Sequence, residues 1–461
     1  MDNNILITGI GASLLLIFSS RKWARKGDIF HAGFIFSLIN FGFFIIFAFG
    51  PYEYFFNLHW SYYYMYILIG YMFLLGIVWG EKKGKKLTVK EIQISSTQLF
   101  ILYILFLLTG TIAIYNSNLL GNYSLQEGAA DRLEQVNQEA TKVNVGSFIL
   151  AKIKVSFTNI VATLVTAYAI YKRKNYIRIV LVFILLIVEA VFTNARTSFV
   201  LGLILIFVTT YTILKEQGFV NFSKIKWSKN FKFTIPGLIL TVVVIGMMTN
   251  VRSSVIASEY SVPYEYIEST TNLKRKPWFN KFANSQPVFL VNPIAEISIY
   301  AGSTVAHGGL VADVAIDSNL RTWGLRNFFS IHRILAQLGL DAGISSIAVD
   351  NYSNLITKAE AYLPPIRYSW WGFPANLIVD FGYIGAPLAS LFTGWLIGWI
   401  YGCISHSVII LKSISYSLIL LSIILTPAFG PFSDFTNFTT LSLLICYILM
   451  NSVKIRYQSL N

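Results

Sequence analysis

One arginine stands in Asn194-Ala195-Arg196-Thr197-Ser198, a very short connection between two apolar runs. An unpaired arginine at membrane depth costs at least ~2.5 kcal/mol. Arg196 should therefore face an interior cavity or an anionic partner, and its planar fork matches a phosphate bidentately. The alternative is a side chain that snorkels to the interface at the end of a helix hairpin. Glu296 lies in Asn292-Pro293-Ile294-Ala295-Glu296-Ile297-Ser298-Ile299-Tyr300, among apolar neighbours. A carboxylate in such surroundings is a candidate for acid–base work, or else a structural partner of an arginine. Asp380, in Asn376-Leu377-Ile378-Val379-Asp380-Phe381-Gly382, is an ionisable group inside an apolar run, which by default suggests function.

More cations stand nearby in sequence. Arg326 and Arg333 are seven apart and share one helix face, suited to phosphate or an acidic sugar, or simply solvated. His332 between them, like His307, serves either as a base or as satisfied structure. Lys152 and Lys154 are two apart, so they do not share a face. One of them either lines an anionic pocket or snorkels. Arg252, where an apolar run ends, neutralises either a lipid diphosphate or an ordinary headgroup. Arg367-Tyr368-Ser369-Trp370-Trp371 suits an interfacial aromatic belt. The faces of Trp370, Trp371 and Tyr300, with Arg367 beside them, also suit stacking on sugar rings. No HExxH, paired-carboxylate or Cys/His spacing is present, so no catalytic metal is expected.

The elements that must hold these residues follow from composition. Of 461 residues, 55% are hydrophobic and only 13% charged, and the mean hydropathy is +0.60. Soluble domains carry about 25% charged residues. Apolar runs of roughly 18–20 residues match a hydrocarbon core of about 30 Å. This excludes a soluble enzyme, a disordered chain and a disulfide-stapled domain, and the runs lack the period-two alternation of a membrane barrel. The net charge of +14 would suggest nucleic acid in a soluble protein. Here it is explained by cytoplasmic loops, which collect Lys and Arg, and no nucleic-acid partner is expected. Cys403 and Cys446 both sit in apolar stretches and form no disulfide framework. The first apolar run lacks the features of a cleavable signal.

The chain reads as an all-α polytopic membrane protein with about eleven spans. They cover 4–20, 29–49, 61–80, 97–115, 146–171, 177–194, 197–214, 233–250, 376–402, 416–430 and 437–453. More than half of the 36 basic residues fall in every second short loop. This predicts an outside N-terminus and a cytoplasmic C-terminus. The organisation is then 1–250 as the N-terminal helices, 251–375 as a large extracytoplasmic loop, and 376–461 as the C-terminal helices. Within the loop, 311–322, 325–340 and 343–359 read as short helices. Gly394, Gly398 and Gly402, spaced by four, read as close helix packing. The functional site is expected on the extracytoplasmic face.

Three segments resemble the bacterial oligosaccharide-repeat-unit polymerases, the Wzy (O-antigen polymerase) family. They are the Asn194–Ser198 turn, the Glu296 segment, and Trp371-Gly372-Phe373-Pro374-Ala375-Asn376-Leu377-Ile378-Val379-Asp380-Phe381-Gly382-Tyr383-Ile384-Gly385-Ala386. Asn376 departs from the pattern, since relatives often carry Glu there. The resemblance implies a GT-C-like fold in the cytoplasmic membrane. It also implies transfer of a growing glycan from undecaprenyl diphosphate to the non-reducing end of a lipid-linked repeat unit. No metal, cofactor or nucleotide sugar is implied. A flippase and a chain-length-regulating co-polymerase are the implied partners. Arg196, Arg252, Arg326, Arg333 and Lys152 become candidates to hold the diphosphate. Glu296 is the preferred base, followed by Asp380 and His332. An O-antigen ligase shares this chemistry. A transporter would be expected to show repeat symmetry and short loops on both sides.

Overall fold

The computed structural model describes residues 3–89 (without 27 and 55–57), parts of 97–108 and 160–184, 196–218, 268, 273–328, 332, 343–362, 371–424 (without 406 and 408), 426, 431 and 435–454. Its helices are α1 (Asn3–Lys22), α2 (Ala32–Phe49), α3 (Trp60–Gly84), α4 (Ile160–Lys172), α5 (Arg196–Glu216), α6 (Pro277–Ser285), α7 (Val288–Asp317), α8 (Ile344–Glu360), α9 (Gly372–Ile404), α10 (Ile409–Ile424) and α11 (Phe435–Asn451). Among the described residues, two antiparallel pairs of short strands accompany them. β1 (Tyr52–Glu53) pairs with β3 (Lys274–Arg275), and β2 (Leu87–Val89) pairs with β4 (Ser452–Lys454). Among the described residues, five segments are long and apolar enough to cross a membrane: Asn3–Lys26, Ala32–Phe49, Trp60–Gly84, Ile297–Asp317 and Gly372–Ile404. The chain is mostly helical with little sheet, as an all-α membrane protein should be.

The contacts divide the chain into two compact units, each drawing on distant segments. The first comprises 1–90, 267–407 and 419–461; the second comprises 91–266 and 408–418. In the second unit, Thr209 of α5 hydrogen-bonds Ser417 (2.7 Å), and Glu216 at its end pairs with Lys412 (2.6 Å). Gln217 Nε2 donates to the Tyr171 carbonyl at 3.4 Å.

The first unit is built on a parallel contact between α3 and α9. Gly76, Gly80 and Gly84 face Leu391–Trp395, Trp395–Trp399 and Trp399–Cys403, while Gly394, Gly398 and Gly402 face Phe73, Ile77 and Glu81. A Cβ at any of these six positions would overlap the opposing backbone. Small residues at four-residue spacing let helix backbones touch, which is how helices associate where lipid removes the hydrophobic incentive. Ser390 Oγ adds a bond to the Ile69 carbonyl (2.8 Å).

The basic helix ends share one face. Trp23, just after α1, donates to Glu81 on the last turns of α3. Tyr401 near the end of α9 donates to the Phe30 carbonyl. β2 after α3 pairs with β4 after α11, with Leu87 opposite Lys454. The opposite face carries β1, β3 and the start of α3, where Lys276 Nζ reaches the Ala48 carbonyl.

Three readings change with the structure, and the smallest is that the expected span 416–430 is found as α10, Ile409–Ile424. Residues 376–402 were expected to form one span, but the helix is broken at Gly382, whose φ of 70° and ψ of −177° suit essentially glycine alone. Phe73 shows how sharp the break is. Its carbonyl meets Gly394, while its ring lies 5.6 Å from that of Phe373. In a straight helix, 373 and 394 would stand about 30 Å apart. The chain therefore doubles back, and 372–381 is a half-helix beside 383–404.

Another change lies in 251–375, which holds the 30-residue α7. Pro293 sits in its second turn and does not break it. Gly302, Gly308 and Gly309 pack α7 tightly on its neighbours but dilute its hydropathy. The expected helix 311–322 is thus the end of α7 followed by a turn. The expected helix 343–359 is found as α8, whereas 325–340 lies largely outside the described residues. Gly302, Gly309 and Asp313 meet Tyr54, Leu58 with Tyr62, and His59 respectively. The C-terminal part of α7 therefore follows the α2–α3 connection, on the face away from the basic ends.

Candidate functional site

The site is organised by Asp380, which is fully buried near the end of the 372–381 half-helix. Its carboxylate accepts bonds from Thr322 Oγ1, Arg326 N (3.1 Å), Asn327 N (2.9 Å) and Asn327 Nδ2 (2.7 Å). Thr322 N also donates to the Val379 carbonyl (3.2 Å). Residues 322–327 are thus folded onto the half-helix as a tight turn. That turn contains Trp323 at φ 48° and Gly324 at φ 89°. A non-glycine residue at positive φ persists only where surrounding contacts enforce it.

This anchor fixes Arg326. Its Nε donates to Asn376 Oδ1 at 3.2 Å, one helical turn before Asp380. Its guanidinium lies 4.3 Å from the centre of the Trp371 ring and 5.3 Å from that of Tyr352. Each such contact contributes about 0.5–2 kcal/mol, more where water is excluded. Among the described residues no carboxylate pairs with Arg326. Asn376 Nδ2 and Trp371 Nε1 are buried donors with no hydrogen-bond partner among the described residues. Leaving such a donor unmatched costs about 1–3 kcal/mol. All three groups lie along the first turns of the half-helix, where the helix dipole favours negative charge, although its Phe373 amide already donates to the Thr426 carbonyl at 2.9 Å. A fixed cation, two unmatched N–H donors and a helix N-terminus together suit an oxyanion. Proteins that bind substrates within the bilayer use half-helix starts for this purpose.

Gly382, at the other end of the half-helix, packs against Arg321. An added Cβ would lie 2.9 Å from Arg321 Nε. Arg321 itself donates to the Ala315 (3.0 Å) and Leu320 (2.8 Å) carbonyls, and Asn351 Nδ2 donates to the Arg321 carbonyl (2.8 Å).

Arg326, Trp371 and Asp380 come together. Asp380, read as a second candidate base, instead has both oxygens occupied by four donors and positions Arg326. His332, the third candidate, is half-buried, with Nε2 2.9 Å from the Trp323 carbonyl. Glu296 and Tyr300 lie on α7, and Arg196 is the first residue of α5 in the other unit. Lys152, Arg252, Arg333, Arg367 and Trp370 lie outside the described residues. Sequence reasoning missed Tyr352, Thr322 and Asn327. It treated Asn376 only as a missing Glu. Its place one turn before Asp380 was the available signal.

Comparison with protein-family models, curated proteins and solved structures gives no match.

Proposed function

We propose that the chain is a polysaccharide polymerase acting on undecaprenyl-diphosphate-linked oligosaccharides at the outer face of a bacterial cytoplasmic membrane. The observation that carries this reading is the Arg326 guanidinium. It is held between Trp371 and Tyr352, beside the unmatched donors of Asn376 and Trp371. A cation fixed by aromatic faces and a half-helix start suits the charge that develops on a diphosphate as it leaves. In this reading the acceptor hydroxyl oxygen attacks the anomeric carbon of the donor. The bond from that carbon to the diphosphate oxygen breaks, and the diphosphate keeps the electron pair. The hydroxyl proton passes to a base, for which Glu296 is the candidate. Arg196, Arg252, Arg333 and Lys152 are further cations for the diphosphate. Arg367, Trp370, Trp371 and Tyr300 are candidates to stack on the glycan. About eleven spans in a GT-C-like arrangement, an outside N-terminus and a cytoplasmic C-terminus belong to the same proposal. A flippase would supply the substrate, and a co-polymerase would set chain length.

The test is a glycan ladder. The chain is expressed in a host lacking its own polymerase but carrying the cognate repeat-unit genes, and extracted polysaccharide is resolved on a gel. Wild type should give a ladder. Arg326→Ala, Arg196→Ala and Glu296→Ala, at matched membrane levels, should give a single repeat. A ladder that forms without this chain overturns the reading, and loss of even the single capped repeat favours ligation or flipping.

A further inference from the structure

The basic end of the first unit carries cations well in excess of nearby carboxylates. Arg21, Arg25 and Lys26 are exposed after and at the end of α1. Lys82, Lys83, Lys85 and Lys86 are exposed at the end of α3. The two rows form one patch, because Trp23, next to Lys22, donates to Glu81, next to Lys82, at 3.2 Å. Glu81, the carboxylate at the centre, is turned inward. Its Oε1 is held by His31 Nε2 at 2.6 Å and by Trp23 Nε1 at 3.2 Å. His31 is buried, stacked on Trp23 with ring centres 4.3 Å apart, and lies 4.4 Å from the Tyr401 ring. The cations therefore stand on a floor that ties the ends of α1, α3 and α9 to the start of α2.

We propose that this patch binds the headgroup of a phospholipid bearing two phosphates. Both rows sit where helices long and apolar enough to cross a membrane come to an end, which is the depth of the headgroup layer. Clusters of about 4–8 Lys and Arg beside a span recognise multiply charged headgroups. Two phosphates on one lipid answer a patch with seven exposed cations, Arg21, Arg25, Lys26, Lys82, Lys83, Lys85 and Lys86, whose two rows the Trp23–Glu81 contact ties together. This inference does not depend on the polymerase reading.

The full chain is purified in neutral detergent and its thermal unfolding followed with added diphosphatidylglycerol, phosphatidylcholine or inorganic pyrophosphate. A ligand that binds only the folded state raises Tm. Diphosphatidylglycerol should raise Tm by several degrees and the other two should not. High salt should abolish the difference, because exposed charges are screened within about 3 Å at 1 M. The Lys82→Gln/Lys83→Gln/Lys85→Gln variant should lose the response, and Lys281→Gln/Lys358→Gln, an exposed pair outside the patch, should keep it. Four results would overturn the proposal: an equal shift with phosphatidylcholine, an equal shift with pyrophosphate, a shift insensitive to salt, or a patch variant that responds like wild type. If the triple variant does not fold, the salt titration on wild type decides.

Discussion

Asp380 shows how a charge visible in a sequence is given its partners by distant parts of the chain. Its place in an apolar run marked it as special, and it is. Its partners Thr322, Arg326 and Asn327 lie more than fifty residues earlier, so no local pattern shows that its oxygens are occupied. Replacing it with Asn turns one acceptor into a donor facing other donors. Asp380→Asn should lower stability by about 1–3 kcal/mol, seen as a reduced Tm in detergent, and should shorten the glycan ladder at matched expression. An unchanged Tm would contradict the positioning role. Arg326→Lys keeps the charge but loses the planar fork and the aromatic stacking. It should therefore behave like Arg326→Ala in the ladder assay, and full activity in the lysine variant would show that charge alone suffices. Arg326 and Trp371 were each legible as candidates. Their contact was not, because the turn that brings them together depends on Asp380.

Among the elements, the glycines divide into two kinds. Gly394, Gly398 and Gly402 announce close packing by spacing alone, and they find Gly76, Gly80 and Gly84 on α3. Gly80→Leu would push side-chain volume into the Trp395 backbone. Overpacking of this kind costs about 1–3 kcal/mol or more, so the purified variant should melt earlier, whereas Gly42→Leu, with open space around it, should melt as wild type. Gly382 is of the other kind. Nothing in its neighbourhood distinguishes it from Gly385, yet only Gly382 adopts positive φ where the helix doubles back. Gly382→Ala should cost about 1–3 kcal/mol from backbone strain and should press on Arg321. The predicted helix ends of α1, α2, α3, α5, α8 and α11 lie close to those observed, because amphipathic and apolar runs fix them locally. The break in α9 was not legible, since hydropathy continues across it, and α7 was hidden by its own small residues.

At the scale of the molecule, three of the basic segments come together. The turns after α1 and α3 and the strand after α11 meet on one face of the first unit. The turn 322–327 lies with Asp380 toward the other. Sidedness can be measured directly. In a Cys446→Ser background, Trp323→Cys should react with a membrane-impermeant maleimide on intact cells, and Lys83→Cys should react only after the membrane is opened. The reverse pattern would invert the proposed orientation and move the candidate site to the cytoplasm.

The parallel contact between α3 and α9 also has a consequence in time. About 300 residues of chain separate Gly76 from its partner Gly394, and at about 5–20 residues per second synthesis takes roughly 15–60 s to cross that interval. Throughout that delay the newly inserted α3 holds a groove of three glycines with no partner from its own chain. A nascent or truncated polypeptide that stops before α9 should therefore pair through α3 with another copy.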